Sequence, residues 1–177
     1  MTEKTKHWQG IAAAVTSHHM RIIQIAVLCF LSATWVAAEQ DRARRQCVPI
    51  GGSILTNLAV VDANTTLGTV TGDLRGAVAA TILEIAPGEN GSTIFTVQHH
   101  FVTEAGDSIV VDRAQATAAM VAPGLFAIVS YPVTITGGTG RFDGATGGFE
   151  NIGEVDLNTG HTVFRYQGRV CLKVPEK

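Results

Sequence analysis

The chain has 177 residues, 13 Lys plus Arg against 15 Asp plus Glu, and a formal net charge of −2. That mild acidic balance lacks the clustered cations needed to neutralise phosphates, so nucleic acid is not an expected partner. With 46% hydrophobic residues and no composition shift to mark a linker, the chain is long enough for one domain with a real core and too short for two.

The first element is a leader. Met20-Arg21 opens into the apolar run Ile22 to Trp35, too short for a comfortable membrane span, and Val36-Ala37-Ala38 supplies small residues before Glu39. Residues 1–38 therefore read as a secretory signal peptide, with Met20 as an alternative start and an uncleaved anchor as the alternative reading. Cleavage leaves Glu39 to Lys177, secreted or periplasmic, with no stable membrane span. That segment keeps ten of the thirteen basic and fourteen of the fifteen acidic residues, because Lys4, Lys6, Arg21 and Glu3 precede it.

Residues 39–51 form an N-terminal segment, in which Arg42, Arg44 and Arg45 read as a solvated tail, and residues 52–177 form the domain proper. Removing the leader also removes Cys29 and leaves Cys47 and Cys171, one near each end. In an oxidising compartment such a pair most simply forms one disulfide tying first strand to last. Two separate buried thiols are the alternative. Neither cysteine has a second ligand at close spacing, so no metal is expected.

The remaining chain alternates strands and turns without sustained 3.6-residue periodicity. Expected strands are Ser53 to Val61, Thr69 to Ile85, Thr93 to Glu104, Ser108 to Ala119, Leu125 to Thr136, Gly148 to Asp156 and Thr162 to Val174, the longest of which should bend or divide. Turns fall at Asp62-Ala63-Asn64, Pro87 to Gly91, Ala105-Gly106-Asp107, Pro123-Gly124 and Asn158-Thr159-Gly160. This hairpin spacing indicates an all-β sandwich or barrel.

Alternation then assigns faces. In Thr93 to Glu104, His99 shares a face with Phe95, Val97 and Phe101, while His100 shares the other with Gln98 and Glu104. The two histidines cannot act as an adjacent metal pair. His99 is the inward candidate, able to donate a hydrogen bond or move a proton, or simply to sit satisfied in the core. Asp73 and Arg75 flank Leu74 on one face, Asp112 and Arg113 take opposite faces, and Arg165 and Tyr166 do likewise. Such groups could orient a ligand oxygen inside a barrel, with Tyr131 or Tyr166 as phenolic donor, or pair across strands on the outer face. Ala77, Ala79, Ala114, Ala116 and Ala118 would permit an interior cavity.

The stretch Thr136 to Gly147 carries the strongest motif. Gly137, Gly138 and Gly140 permit positive φ and close backbone approach, and Phe142 can plug inward where the chain turns a corner. The run Thr136, Gly137, Gly138, Thr139, Gly140, Phe142, Asp143 and Gly144 resembles the corner of the allene oxide cyclase and dirigent barrels. That resemblance covers about a dozen residues, supported elsewhere by Gly72-Asp73-Leu74-Arg75-Gly76, which is similar to a strand motif of bacterial barrel-like relatives.

The resemblance implies a closed antiparallel β-barrel of about eight strands around a small hydrophobic or phenolic molecule, as a homodimer or homotrimer. It implies a cofactor-free cyclase or isomerase that steers a reactive substrate into one conformer, but it assigns no catalytic residue here; strand alternation alone offers His99, Tyr131 and Tyr166 as catalytic candidates. Asp73, Arg75, Phe95 and Arg113 are the ligand-binding candidates. The rival readings are a non-catalytic ligand carrier and a structural or interaction protein, the last favoured if side chains fill the interior.

Overall fold

The computed structural model describes residues 45–174, so the signal-peptide reading of residues 1–38 lies outside the described residues. Ten strands follow one another: β1 (Arg45–Leu58), β2 (Thr65–Val70), β3 (Gly76–Pro87), β4 (Thr93–Thr103), β5 (Ser108–Val111), β6 (Ala114–Ala122), β7 (Leu125–Ser130), β8 (Pro132–Gly138), β9 (Thr146–Asp156) and β10 (His161–Lys173). All pairings are antiparallel, and strands such as β4 and β8 bury every second residue on one side.

The ten strands make eight walls. β5 and β6 both pair with β4, at its end and its start, and β8 and β7 both pair with β9, so each couple is one bent wall. The order β10-β1-β2-β3-β4 continues through these two bent walls to β9, and β9 pairs with β10 to close the ring. The described residues form a closed eight-stranded antiparallel barrel.

The seam joins the ends of the described chain. β1 and β10 pair from Arg45↔Lys173 to Asn57↔His161, with Cys47 directly opposite Cys171. Their sulfurs are bonded, and the Cα atoms stand 3.8 Å apart. β1 thus starts at Arg45, ahead of the expected Ser53, because the terminal strand finds a partner along its whole length.

One expected strand is interrupted. Thr69 to Ile85 divides at a 3-10 turn, Gly72–Leu74, which drops Leu74 into the core. Tyr166 on β10 holds that turn, its hydroxyl accepting from Leu74 N at 3.0 Å and donating to Thr71 O at 2.9 Å. Gly52 faces Tyr166 across the β1–β10 ladder, and a Cβ there would lie 2.0 Å from Thr71 O and 2.8 Å from the ring. The missing side chain lets both the Thr71 backbone and the tyrosine approach β1.

The barrel has two unlike ends. Segments 71–75, 104–107 and 139–145 lie at one end, closed from within by Leu74, Phe142 and Ala145. They carry Asp73, Arg75, Glu104, Asp107, Arg141 and Asp143. Segments 59–64, 88–92, 123–124 and 157–160 gather at the other, linked by Leu58 N to Gly160 O and Leu157 N to Gly124 O. Val60, Val61, Ile85, Met120 and Val121 are exposed in or beside those segments.

Candidate functional site

The interior site is organised by a break in one wall. Pro132 has no N–H to continue the ladder and holds Tyr131 extended, so β7 stops at Ser130 and β8 begins at Pro132. Side chains of β9 replace the lost ladder: Glu150 Oε1 accepts from Tyr131 N, and Asn151 donates to Tyr131 O from its backbone N and from Nδ2 at 3.0 and 3.2 Å. The break directs Tyr131 inward, where it is 5% exposed.

Inside, Tyr131 Oη lies 2.6 Å from His99 Nε2 on β4. His99 is 7% exposed and sits in a file of rings, with Phe101 at 5.6 Å and Tyr131 at 5.5 Å between centroids, and Phe164 at 5.8 Å from Tyr131. Burial strips water from the imidazole and, with His100 beside it, pushes the His99 pKa down to about 4. Burial also raises the Tyr131 phenol above its ordinary value. Both groups are therefore neutral at pH 7, which leaves a hydrogen-bonded dipole pair in an apolar chamber.

Two small cavities flank the pair. The larger, about 50 Å³, is lined mainly by apolar residues including Leu58, Ile82, Phe95, Ala116, Ile128 and Val155, with Tyr131 among the few polar groups. The deeper, about 30 Å³, meets His99, Tyr131, Asn151, Thr56 and Thr66. They share the lining residues Thr66, Ala80, Tyr131 and Phe164, so they lie side by side in the half of the barrel nearest the apolar rim. His99 Nδ1 and Asn151 Oδ1 are buried without hydrogen-bond partners.

The sequence candidates separate in space. His99, Tyr131 and Phe95 line this interior. Tyr166 is buried but committed to the turn at the closed end, and burial raises its pKa as well. Asp73 accepts from Gly51 N at 2.8 Å, and Arg75 lies on the same exposed rim, because Gly72–Leu74 is a turn and not part of a strand. Asp112 and Arg113 are both exposed at the bend between β5 and β6, where alternation lapses. These charges do not meet the His99–Tyr131 pair.

In the glycine-rich corner, positive φ falls at Gly140 (55°), while Gly137 and Gly138 end β8 without it. Phe142 is fully buried, and Arg141 stacks over its ring at 4.7 Å. Of the expected small residues, Ala114, Ala116 and Ala118 face inward, whereas Ala77 is exposed and the cavity-lining alanine of β3 is Ala80.

Asn151 escaped the reading from sequence. Its signal was the alternation Phe149, Asn151, Gly153, Val155, which sets an amide among inward apolar positions. Among the described residues no three His, Cys, Asp or Glu side chains converge to hold a metal ion, and no helix is long and apolar enough to cross a membrane.

The fold and site define a class: a closed antiparallel barrel with a neutral tyrosine–histidine pair inside. No protein-family model matches the chain, and no curated protein matches it. Among solved structures it is similar to a pterocarpan synthase dirigent protein, at 14% identity over 74% of this chain and 91% of that one, with a TM-score of 0.34. A likeness at that level carries no argument, and the barrel rests on its own strand pairings.

Proposed function

We propose that the protein is a binding barrel, of the allene oxide cyclase and dirigent-like type, for a small and mainly apolar molecule held against Tyr131 and His99. The observation that carries this reading is the neutral Tyr131–His99 pair lining a mainly apolar, uncharged space. A few convergent polar groups in an apolar hollow fix a ligand's orientation, while apolar contact supplies affinity. The barrel acts outside the cytoplasm, with residues 1–38 removed; the Cys47–Cys171 bond is consistent with an oxidising compartment.

Binding is favoured over acid–base chemistry. An imidazole with a pKa of about 4 is a weak base at pH 7, and a phenol raised by burial is a weak acid. Any turnover in this site is a cyclisation or isomerisation driven by orientation and a hydrogen bond from Tyr131, without a cofactor.

The small volumes, about 50 and 30 Å³, favour a second reading in which the filled barrel is a structural or interaction module. The chain, exported with its own leader and purified gently, is to be weighed by native mass spectrometry for retained small molecules and subunit number, where a homodimer or homotrimer is the expectation. A retained apolar compound supports the binding reading. An empty protein that ignores added alcohols, ketones and phenols supports the second.

A further inference from the structure

The proposed ligand space carries no charge, and its approach carries charge of one sign. Among the described residues the buried polar ones are Thr56, Thr65, Thr66, His99, Asn151 and Thr162, with no Asp, Glu, Lys or Arg. The segments at the apolar rim contain Asp62 and Glu89, and the adjoining strand ends carry Glu84 and Asp156. No Lys or Arg stands in those segments.

Two buried atoms ask for a partner. Asn151, 2% exposed, and His99, 7% exposed, both line the deeper cavity, and Asn151 Oδ1 and His99 Nδ1 are unpaired. An amide oxygen only accepts, so what it lacks is a donor. A hydroxyl provides one. A ketone or a carboxylate does not.

We infer, resting on the binding function proposed above, that this site selects an uncharged, hydroxyl-bearing apolar molecule entering head-first and rejects the carboxylate of the same carbon skeleton. A carboxylate would be stripped of water with no buried cation to receive it, a cost that apolar contact with a few carbons does not offset. The rim acids add repulsion before entry. An ammonium is drawn to the rim but finds no buried carboxylate, so it gains nothing further in. Cavities of about 50 and 30 Å³ admit only a narrow head and a few carbons, and the remaining chain lies along Val60, Ile85, Met120 and Val121.

The test uses the exported full chain with 1-octanol, 2-octanone, octanoate and octylammonium at pH 7.5, read by calorimetric titration and thermal shift. Octanol should bind tightest, 2-octanone measurably weaker, and octanoate at least about tenfold weaker than octanol. In Asn151→Leu the preference for octanol over 2-octanone should vanish while apolar binding persists. In Glu84→Gln/Glu89→Gln, exposed and safe for folding, octanoate should remain rejected because the interior still lacks a cation. Octanoate binding as tightly as octanol overturns this inference and leaves the binding function standing. Binding of none of the four overturns both.

Discussion

His99 and Tyr131 meet at 2.6 Å in a space without charges, and among the described residues each is the other's only side-chain hydrogen-bond partner. The pair makes the folded state sensitive to acid. The His99 pKa falls from 6.5 to about 4 on folding, so between those values the unfolded chain binds the extra proton. Stability is therefore full above pH 6.5 and declines as pH falls, the loss approaching about 3 kcal/mol below pH 4. Urea unfolding across pH 7.5 to 4 should show this slope, and His99→Leu should remove most of it. Tyr131→Phe leaves His99 Nε2 without its partner and should cost about 1–3 kcal/mol. The His99→Leu/Tyr131→Phe double variant should lose less than the two single losses together, because neither leaves a stranded partner. Additive losses in that cycle would show that the pair is not coupled.

At the scale of elements, one of the two bent walls breaks where its sequence cannot continue a ladder. At Tyr131–Pro132 the missing amide ends β7, and Glu150 and Asn151 from β9 take over the hydrogen bonds. Glu150→Ala strands the Tyr131 N–H and should cost about 1–2 kcal/mol, with a change in the tyrosine near-ultraviolet circular dichroism. An unchanged tyrosine signal would mean that the break holds Tyr131 without Glu150. The turn Gly72–Leu74 shows a different dependence, on a neighbour far along the chain. Gly52→Ala would bring its Cβ to 2.0 Å from Thr71 O and 2.8 Å from the Tyr166 ring and should destabilise by about 1–3 kcal/mol, measured by thermal melting. An unchanged melting temperature would show that the backbone at Thr71 shifts to make room without loss.

For the whole molecule, closure and covalent linkage coincide at the seam. The disulfide closes a sequence separation of 124 residues, yet a continuous backbone ladder already joins β1 to β10. Replacing both cysteines by serine should therefore preserve the far-ultraviolet circular dichroism while lowering stability by up to about 5 kcal/mol in the chain-entropy account. Loss of the β signal would mean that the barrel closes only when bonded. The two ends divide the remaining work, one closed by Leu74 and Phe142 under a charged rim, the other bordered by exposed apolar residues and acids.

Much of this was legible along the chain. Period-2 alternation put His99 inward and His100 outward, because strand geometry fixes successive side chains on opposite faces whatever surrounds them. Turn residues marked the hairpins for an equally local reason. Two cysteines at the domain ends pointed to a closed ring. Other features depended on contacts between residues distant in sequence. Leu74 is apolar and reads as strand, yet contacts with Gly51 and with Tyr166, 92 residues on, hold its backbone in a turn at the closed end. Asp73, Arg75 and Arg113 alternate like interior groups, yet the turn and the wall bend place them at the surface. Asn151 becomes a site residue only because Tyr131 breaks its strand across from it. Most of the strands, the inward face of β4 and the all-β class follow from local periodicity and could be read along the chain. The meeting of Tyr131 with His99 and the size of the space beside them could not, because both depend on how eight walls curve and pack around one interior.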